Sequence, residues 1–305
     1  MATGISVSST SNLSNGQRIF IESAKEAFEP AAPDPDLIDG ERIETGVKQW
    51  DVSTFSRLSQ ATALTEGVDL SDVQQLATNT LQLTPAEHGM IVTISNRLKR
   101  RQGDSSVVGV AGRQIGGSLR RRMANDVITL YANFSKATHS SGGSTLDITH
   151  FRGAVSYLLT DNDASYGPAP MPLQAALHIE QISDIIMDIS DPNTVVAGSD
   201  GSATNRIGLS AEMLQRWWRG SDRLYGIPIF HSGNISIDGD NDAKGAIFAS
   251  EALYMVIAND ADVTEEDDNS LRATEYGIFQ EWAEGERADP HGVTVYTDAA
   301  GTLAG

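Results

Sequence analysis

Cysteine is absent from the 305-residue sequence. Disulfide bonds, thiolate metal sites, cysteine nucleophiles and redox chemistry of the CxxC type are therefore excluded. The apolar content of 40% is ordinary and typical of a globular protein. The length suffices for one large domain or two of average size, with a core of useful extent.

Basic residues are scarce. The 22 Lys and Arg residues are outnumbered by 41 Asp and Glu, which gives a net charge of −19. Affinity for phosphate groups comes from basic surface, so this balance argues against a general nucleic-acid-binding protein. The same charge makes copies of the chain repel one another, and only a large specific interface would overcome that repulsion.

Long apolar runs are also lacking. The longest, residues 246–258, is interrupted by Glu251 and is too short to cross a bilayer. The first residues, Met-Ala-Thr-Gly-Ile-Ser, show neither the basic nor the apolar region of a signal peptide. The sequence therefore predicts a protein that has no membrane partner and that is made and used in a cytoplasm.

Motifs that carry chemistry are absent or incomplete. The sequence contains no HExxH, GxSxG or P-loop motif. Residues 238–242, Asp-Gly-Asp-Asn-Asp, resemble the first half of an EF-hand loop. However, Ala243 occupies the position that needs glycine, and Ala249 the position that needs a bidentate glutamate. We therefore expect no catalytic residue, no cofactor site and no metal site.

The strongest periodic signal predicts one long helix over residues 104–137. Asp104 and the two serines after it offer N-caps, and the Ser-Ser-Gly-Gly sequence at 140–143 ends the helix. At 1.5 Å per residue it would be about 50 Å long, so we interpret it as a structural spine. One apolar stripe at steps of three and four residues supports it: Val108, Ala111, Ile115, Leu119, Met123, Val127, Leu130, Tyr131 and Phe134.

The segments before this helix have little core of their own. Residues 1–46 are interpreted as an N-terminal arm with one short amphipathic helix over 17–28. Residues 47–95 are predicted to form a long β-hairpin and a following strand. Isolated two-stranded ribbons are only marginally stable in water, so we expect a neighbouring molecule to support this hairpin.

Helices and strands follow in mixed order, which predicts the α+β class. An acidic run extends over 260–268, and its last part, 265–268, is interpreted as a solvated loop. Helices are predicted over 147–159, 180–189 and 211–218, and strands over 173–179, 226–230, 246–257, 272–282 and 292–297.

Basic residues cluster at the start of the long helix. Eight of the 22 fall within residues 97–122, where Asp104 is the one acid. Three consecutive arginines at 120–122 point to different sides of a helix and need different partners. Acidic segments of neighbouring copies are the partners we expect first, and phosphates of enclosed nucleic acid come second. The eight are Arg97, Lys99, Arg100, Arg101, Arg113, Arg120, Arg121 and Arg122.

In this order, the segments resemble the major capsid protein of a tailed bacteriophage, the Hong Kong 97 type of fold. The sequence Leu64-Thr-Glu66-Gly67 resembles the glutamate–glycine step of that family's extended loop. Residues 85–95 resemble the strand that leads into its spine helix. Residues 224–230 and 245–253 resemble strands of that family's axial domain. Residues 272–275, 281–282 and 291–298 resemble the closing strands of its peripheral domain.

The resemblance implies a shell of hexamers and pentamers that encloses a phage dsDNA genome without sequence-specific contacts. Such a subunit is not an enzyme, and its shell is assembled in the host bacterial cytoplasm before it becomes the virion capsid. Scaffolding, portal and decoration proteins are partners that the resemblance leaves open. The implied parts are an N-terminal arm (1–46), an extended β-loop with its leading peripheral strand (47–95), a peripheral domain with the spine helix (96–145), an axial α/β domain (146–270) and returning peripheral strands (271–305).

The resemblance also suggests residues for assembly. Some members crosslink their shells through a lysine and an asparagine. Lys48, near the base of the hairpin, is the one candidate by position, and no activating acid can be placed beside it, so crosslinking is not expected. The candidate assembly residues are Lys48, Glu66, Gly67, Arg97, Arg100, Arg101, Arg120, Arg121 and Arg122.

Two other interpretations stay open. The first is an encapsulin, the subunit of a cellular nanocompartment with the same fold. The arm and the hairpin ahead of the spine favour the phage form. The second is a soluble acidic hydrolase that uses carboxylates such as Asp161 and Asp163. It would need no oligomer, and no recognisable catalytic motif places either carboxylate.

Overall fold

The structure, a computed structural model, describes residues 33–43, 48–67, 69, 73–102, 104–139, 143–190 and 223–299. The predicted helices at 17–28 and 211–218 lie outside these residues. The described helices are α1 (Asn96–Gln102), α2 (Asp104–Tyr131), α3 (Ile148–Leu159) and α4 (Ile179–Ser190). The described strands are β1 (Asp39–Arg42), β2 (Trp50–Phe55), β3 (Thr78–Leu83), β4 (Ala86–Ser95), β5 (Leu173–Leu177), β6 (Arg223–Leu224), β7 (Ile227–His231), β8 (Asp242–Ala249), β9 (Leu253–Asp268), β10 (Ala273–Glu286) and β11 (Gly292–Asp298).

The long helix is present as α2, with 28 residues and a length of about 42 Å. Its predicted stripe is buried except for the partly buried Leu130, and Val108, Ile115 and Val127 are fully inaccessible. The helix ends at Tyr131 and not at residue 137 as predicted. Residues 136–138 instead exchange backbone hydrogen bonds with Thr294 of β11. This pairing with a distant strand outweighs the local tendency to continue the helix.

Helix α2 packs on a four-stranded sheet, the first sheet, with strand order β1-β9-β10-β4. Strand β1 runs parallel to β9, and the other neighbours are antiparallel. The apolar face of α2 shares a core with Tyr276, Ile278 and Trp282 of β10 and with Ile94 of β4. Removal of these apolar surfaces from water holds the helix on the sheet.

The acidic run at 260–268 corrects the prediction of a solvated loop, because it is the second half of β9. Val263 pairs with Ile278 of β10, and Asp268 pairs with Ala273. No glycine or proline interrupts the chain from 253 to 269, so no turn residue ends the strand there. Charged side chains are common on strands at the edge of a sheet. Here they made a strand look like a solvated loop in the sequence.

A second sheet has five strands in the order β11-β8-β5-β7-β6. Its buried side chains pack against α3 and α4, for example Leu177 and Val295 with Phe151, Leu158 and Ile185. This sheet and its two helices form the second core of the subunit. The mixed architecture confirms the predicted α+β class.

The two sheets divide the chain differently from the predicted domains. The strands predicted to return together over 271–305 separate, since β10 lies in the first sheet and β11 pairs with β8 in the second. The predicted axial domain, 146–270, likewise contains β9, which belongs to the first sheet. Val293 and Val295 are buried in the second core. Burial of apolar side chains, and not order along the chain, therefore decides which sheet each strand joins.

The interpretation of residues 1–46 as an arm without core residues is also corrected for its described part. Leu37, Ile38 and Ile43 are buried, and β1 adds a parallel strand to the edge of the first sheet. These residues belong to the folded subunit. Removing the whole of residues 1–46 would therefore cut into the core.

The buried carboxylate of Asp34 fastens this segment to the spine helix and to the second sheet. It accepts hydrogen bonds from the hydroxyl of Tyr131 at 2.9 Å and from the hydroxyl of Ser232 at 2.7 Å. Burial raises the pKa of Asp34, although both hydrogen bonds favour the ionised form. Tyr131 ends α2 and Ser232 follows β7, so one side chain links the spine helix to the second sheet.

Strands β2 and β3 form the predicted hairpin. Its base packs on the first sheet, where Trp50 and Leu83 contact the cluster that contains Val256 and Ala258. Residues 56–77 connect the two strands and include the described part of the predicted extended loop. The hairpin is thus fixed at its base and extends from there.

Two short connections between the sheets are bonded to each other. The carbonyl oxygen of Ala252, between β8 and β9, accepts hydrogen bonds from the backbone N–H groups of Arg287 and Ala288, which follow β10. Beside them, Nδ1 of His291 lies 3.0 Å from the carboxylate of Glu251. The passages of the chain between the first and second sheets therefore meet in one place.

Glu286, at the end of β10 and next to these connections, makes the stability of the subunit depend on pH. Burial and the neighbouring carboxylate of Asp289 raise its pKa from 4.5 to about 7. Between these values the native protein holds a proton that the unfolded chain releases, so stability falls as the pH rises through that window. Because the carboxyl is partly solvated, we expect a loss on the order of 1 kcal/mol.

The substitution Glu286→Gln should remove this loss. Urea unfolding of the unassembled subunit at pH 5 and pH 8 would measure it, and the difference between the two free energies should shrink by about 1 kcal/mol. Glu281→Gln, on the same strand, serves as the matched control and should leave the difference unchanged. An unaltered difference in the Glu286 variant would contradict the assignment.

Candidate assembly interface

The segment that connects β2 and β3, together with the last residue of β2, exposes large apolar side chains. Polar contacts tie its two sides together, since the side chain of Gln74 bonds to Ser59. The apolar side chains nonetheless point to solvent, which is unfavourable unless another surface covers them. Their exposed fractions are 58% for Phe55, 51% for Leu58, 76% for Leu64, 83% for Val73 and 57% for Leu76.

Glu66 and Gly67 form an exposed turn in this segment. The φ angle of Gly67 is +83°, in the left-handed region that favours glycine. No atom lies within 4 Å of the position where a Cβ would be, so backbone conformation and not crowding favours glycine there. Lys48 is also exposed, but it precedes β2 at the opposite end of the hairpin. The structure therefore does not bring Lys48 together with Glu66 and Gly67.

One contact joins the start of the loop to its own chain. A guanidinium nitrogen of Arg57 lies 2.8 Å from the carboxylate of Asp161, and the backbone N–H of Arg57 donates to the carbonyl of Ser165 at 2.6 Å. The carboxylate of Asp163 accepts the backbone N–H groups of Ser165 and Tyr166. Asp161 and Asp163, the carboxylates considered for a hydrolase, thus hold the hairpin and a turn.

The basic residues of α1 divide into two groups. The ammonium of Lys99 faces the first sheet, where it donates to the hydroxyl groups of Thr274 and Tyr276, both at 2.9 Å. Arg97, Arg100 and Arg101 are exposed on the outside of the helix. In the part of the chain that the structure describes, none of these three is paired with an acid.

The arginines of α2 have nearer partners than the sequence suggested. Arg120 pairs with Asp36, and Arg122 lies 2.9 Å from Asp126 one turn along the helix. Both acids belong to the same chain. Arg120 and Arg122 therefore pair within the subunit and not, as expected from the sequence, with acids of a neighbouring copy. Arg121 is exposed on the helix surface.

The whole arrangement resembles solved phage capsids. The capsid of Ralstonia phage GP4 matches with a TM-score of 0.65 at 9% identity, over 88% of this chain and 89% of that one. The capsid of a native GTA particle matches with a TM-score of 0.64 at 11% identity, over 89% and 91%. The capsid of cyanophage P-SCSP1u matches with a TM-score of 0.59 at 14% identity, over 98% and 96%. The chain has the Hong Kong 97-type phage capsid fold.

The likeness to capsids is one of structure alone. No protein-family model matches the sequence, and no curated protein matches it in sequence. The fold confirms the order of elements on which the resemblance was based. The extended hairpin comes first, and strand β4 and the spine helix α2 follow it.

Within the capsid fold, sequence reasoning missed a long free edge of the first sheet. Strand β1 pairs only with residues 254–257 of β9, so the outer side of β9 from Ala258 to Asp268 has no partner strand among the described residues. The signal that could have revealed it is the uninterrupted stretch without glycine or proline. This edge carries the acidic run.

Two further findings concern other kinds of site. In the ranges that the structure describes, His, Asp and Glu residues do not gather in a group of three or more that could hold a metal ion. No helix in those ranges has the length and apolar character needed to cross a membrane. The EF-hand-like Asp238 instead accepts the backbone N–H groups of Asp240 and Asp242 in a tight turn.

Proposed function

We propose that this chain is the major capsid protein of a tailed bacteriophage. Copies of it assemble as hexamers and pentamers into an icosahedral shell around the dsDNA genome, which the shell holds without reading its sequence. The observation that carries the proposal is the capsid fold, which extends over about nine-tenths of this chain and of the capsid chains it matches.

The exposed apolar side chains of the hairpin support self-assembly. Burying one Leu or Val side chain is worth about 1.5–3 kcal/mol, and the loop offers several of them. Gains of that size on every subunit are what an acidic chain needs to overcome repulsion between copies. Lys48, Glu66, Gly67 and Arg121 are exposed, and we place them at contacts between subunits.

The proposed role is structural and not enzymatic. The carboxylates of Asp161 and Asp163 are engaged by Arg57 and by backbone N–H groups, which supports a structural use for both. The shell forms in the cytoplasm of the bacterial host and persists as the virion capsid. Scaffolding, portal and decoration proteins would act with it at separate steps of particle formation.

Negative-stain microscopy and light scattering of the purified full chain test the proposal. We expect closed shells of megadalton mass that sediment away from the 32.6 kDa subunit. A chain that stays monomeric at every protein and salt concentration would overturn the proposal. The contents of shells isolated from infected cells separate the phage form from an encapsulin, because a capsid retains nuclease-protected genomic DNA and a nanocompartment retains protein cargo.

A boiled denaturing gel of the same shells tests Lys48. We expect a single band at the mass of the subunit, since no carboxylate contacts Lys48 in the described part of the chain. A ladder of covalent oligomers that disappears in Lys48→Ala would show that this lysine crosslinks the shell.

A further inference from the structure

The far end of the first sheet carries two surfaces of opposite charge. The first, which we call the acidic edge, is residues 260–268 of β9. Six of its nine residues are Asp or Glu, and its outer side has no partner strand in the described part of the chain. An exposed strand edge presents unpaired backbone N–H and C=O groups, which invite pairing with another chain.

Some carboxylates of the acidic edge accept hydrogen bonds from the first sheet, and others face solvent. Glu265 accepts the hydroxyl of Tyr276 at 3.0 Å, and Asp267 accepts the hydroxyl of Thr274 at 2.7 Å. Asp262 and Glu266 are exposed and have no ion-pair partner among the described residues. Glu266 also lies directly opposite Glu275 of β10, an arrangement of like charges that is unfavourable.

The second surface, the arginine face, is formed by Arg97, Arg100 and Arg101 of α1. Their spacing of three and four residues places them on one side of the helix. Lys99 lies on the other side, against the first sheet. None of the three arginines is paired with an acid of the described chain. Neighbouring positive charges repel one another, so this face is unfavourable without a partner.

The two surfaces lie at the same end of the subunit. Ala273, the first residue of β10, pairs with Asp268 on one side and with Ser95 on the other. Ser95 immediately precedes α1, and the backbone N–H of Asn96 donates to the carbonyl of Arg272 at 2.9 Å. Adjacent strands are about 4.8 Å apart, so one strand separates the acidic edge from the strand that leads into the arginine face.

We propose that the acidic edge of one copy docks on the arginine face of a second copy. Because each subunit carries both surfaces at one end, copies that meet at this end can repeat the contact head to tail around a symmetry axis and close a ring. The contact extends the proposed function, on which it rests. It neutralises both surfaces at once, whereas duplex phosphates would neutralise only the arginines.

Charge exchange tests the contact. Arg100→Glu with Arg101→Glu should lower the yield of sedimenting shells at least about tenfold, and so should Asp262→Lys with Glu266→Lys, because each places like charges in contact. Combining all four substitutions restores opposite charges and should return the yield to within about threefold of the natural chain. Raising the NaCl concentration should narrow the difference in yield between the reversed pairs and the natural chain, because salt screens the charges at this contact.

Arg152→Glu with Lys136→Glu is the matched control for the reversed arginines, since it changes the net charge by the same amount at exposed positions elsewhere. The control should assemble, and circular dichroism should show every variant folded. Should a reversed variant not fold, Arg100→Gln with Arg101→Gln and Asp262→Asn with Glu266→Gln replace it, and each neutral pair should still lower the yield.

Three outcomes would overturn the contact. The first is a fourfold variant that assembles no better than the two pairs, and the second is a control that fails equally. The third is a variant with reversed arginines that forms normal shells without nuclease-protected DNA, which would assign the arginine face to duplex phosphates. If the natural chain itself formed no shells, the proposed function would fail and not this contact alone.

Discussion

Replacing Leu58, Leu64, Val73 and Leu76 by serine is expected to abolish shell formation and to leave the subunit folded. All four side chains are more than half exposed in the subunit, so their loss removes nothing from its cores. Each contributes about 1.5–3 kcal/mol if a neighbouring copy buries it. Even a total loss of about 4 kcal/mol would raise the protein concentration needed for assembly about 1,000-fold.

Sedimentation and negative-stain microscopy measure this effect, and circular dichroism reports the folded state. Gln60→Ser with Gln75→Ser is the control, because both residues are exposed in the same loop and neither is apolar. The control should assemble normally. If the fourfold serine variant still formed shells at the usual concentration, the hairpin loop would have no role in contacts between subunits.

Trp282→Ala is expected to cost about 3–5 kcal/mol of unfolding free energy. The indole is 1% exposed and stacks on the ring of His88 with centroids 4.0 Å apart. Its N–H donates to Asp126 of α2 at 3.2 Å. The substitution would therefore leave a cavity between the spine helix and the first sheet and remove a hydrogen bond to a carboxylate.

Urea unfolding should be measured in the fourfold serine background, where assembly does not add to the apparent stability of the subunit. Trp282→Phe is the matched control, since it keeps an apolar ring and loses the N–H group. We expect it to cost less than half as much as Trp282→Ala. A loss of unfolding free energy below about 1 kcal/mol for Trp282→Ala would contradict the conclusion that this side chain holds the spine helix on the first sheet.

The spine helix, the hairpin and the α+β class could be predicted from the sequence because their signals are local. The apolar stripe of α2 follows from the helical period alone, and the stripe is buried as expected. The strand pattern near Trp50 and Leu81 likewise predicts the hairpin. Local patterns of this kind do not depend on which distant segment lies beside them.

The errors arise where distant segments decide the outcome. Strand β11 joins the second sheet because β8 pairs with it, and no local signal names that partner. The acidic half of β9 becomes a strand because β10 pairs with it along its length. The partner of Arg120 was missed for the same reason, since Asp36 is distant in sequence. The pair of Arg122 with Asp126 is different, because the two residues are one helical turn apart and the spacing alone indicates the contact.

The passages between the two sheets have a mechanical consequence for a shell. Ser135, Ala252 and Asp289 belong to three described connections, and hydrogen bonds join them along a single seam. A small rotation about such a line changes the angle between the sheets and leaves their internal ladders whole. Contact of Tyr131 with Phe248 limits its size. In the proposed shell, identical chains would thereby tilt by different amounts in hexamers and in pentamers.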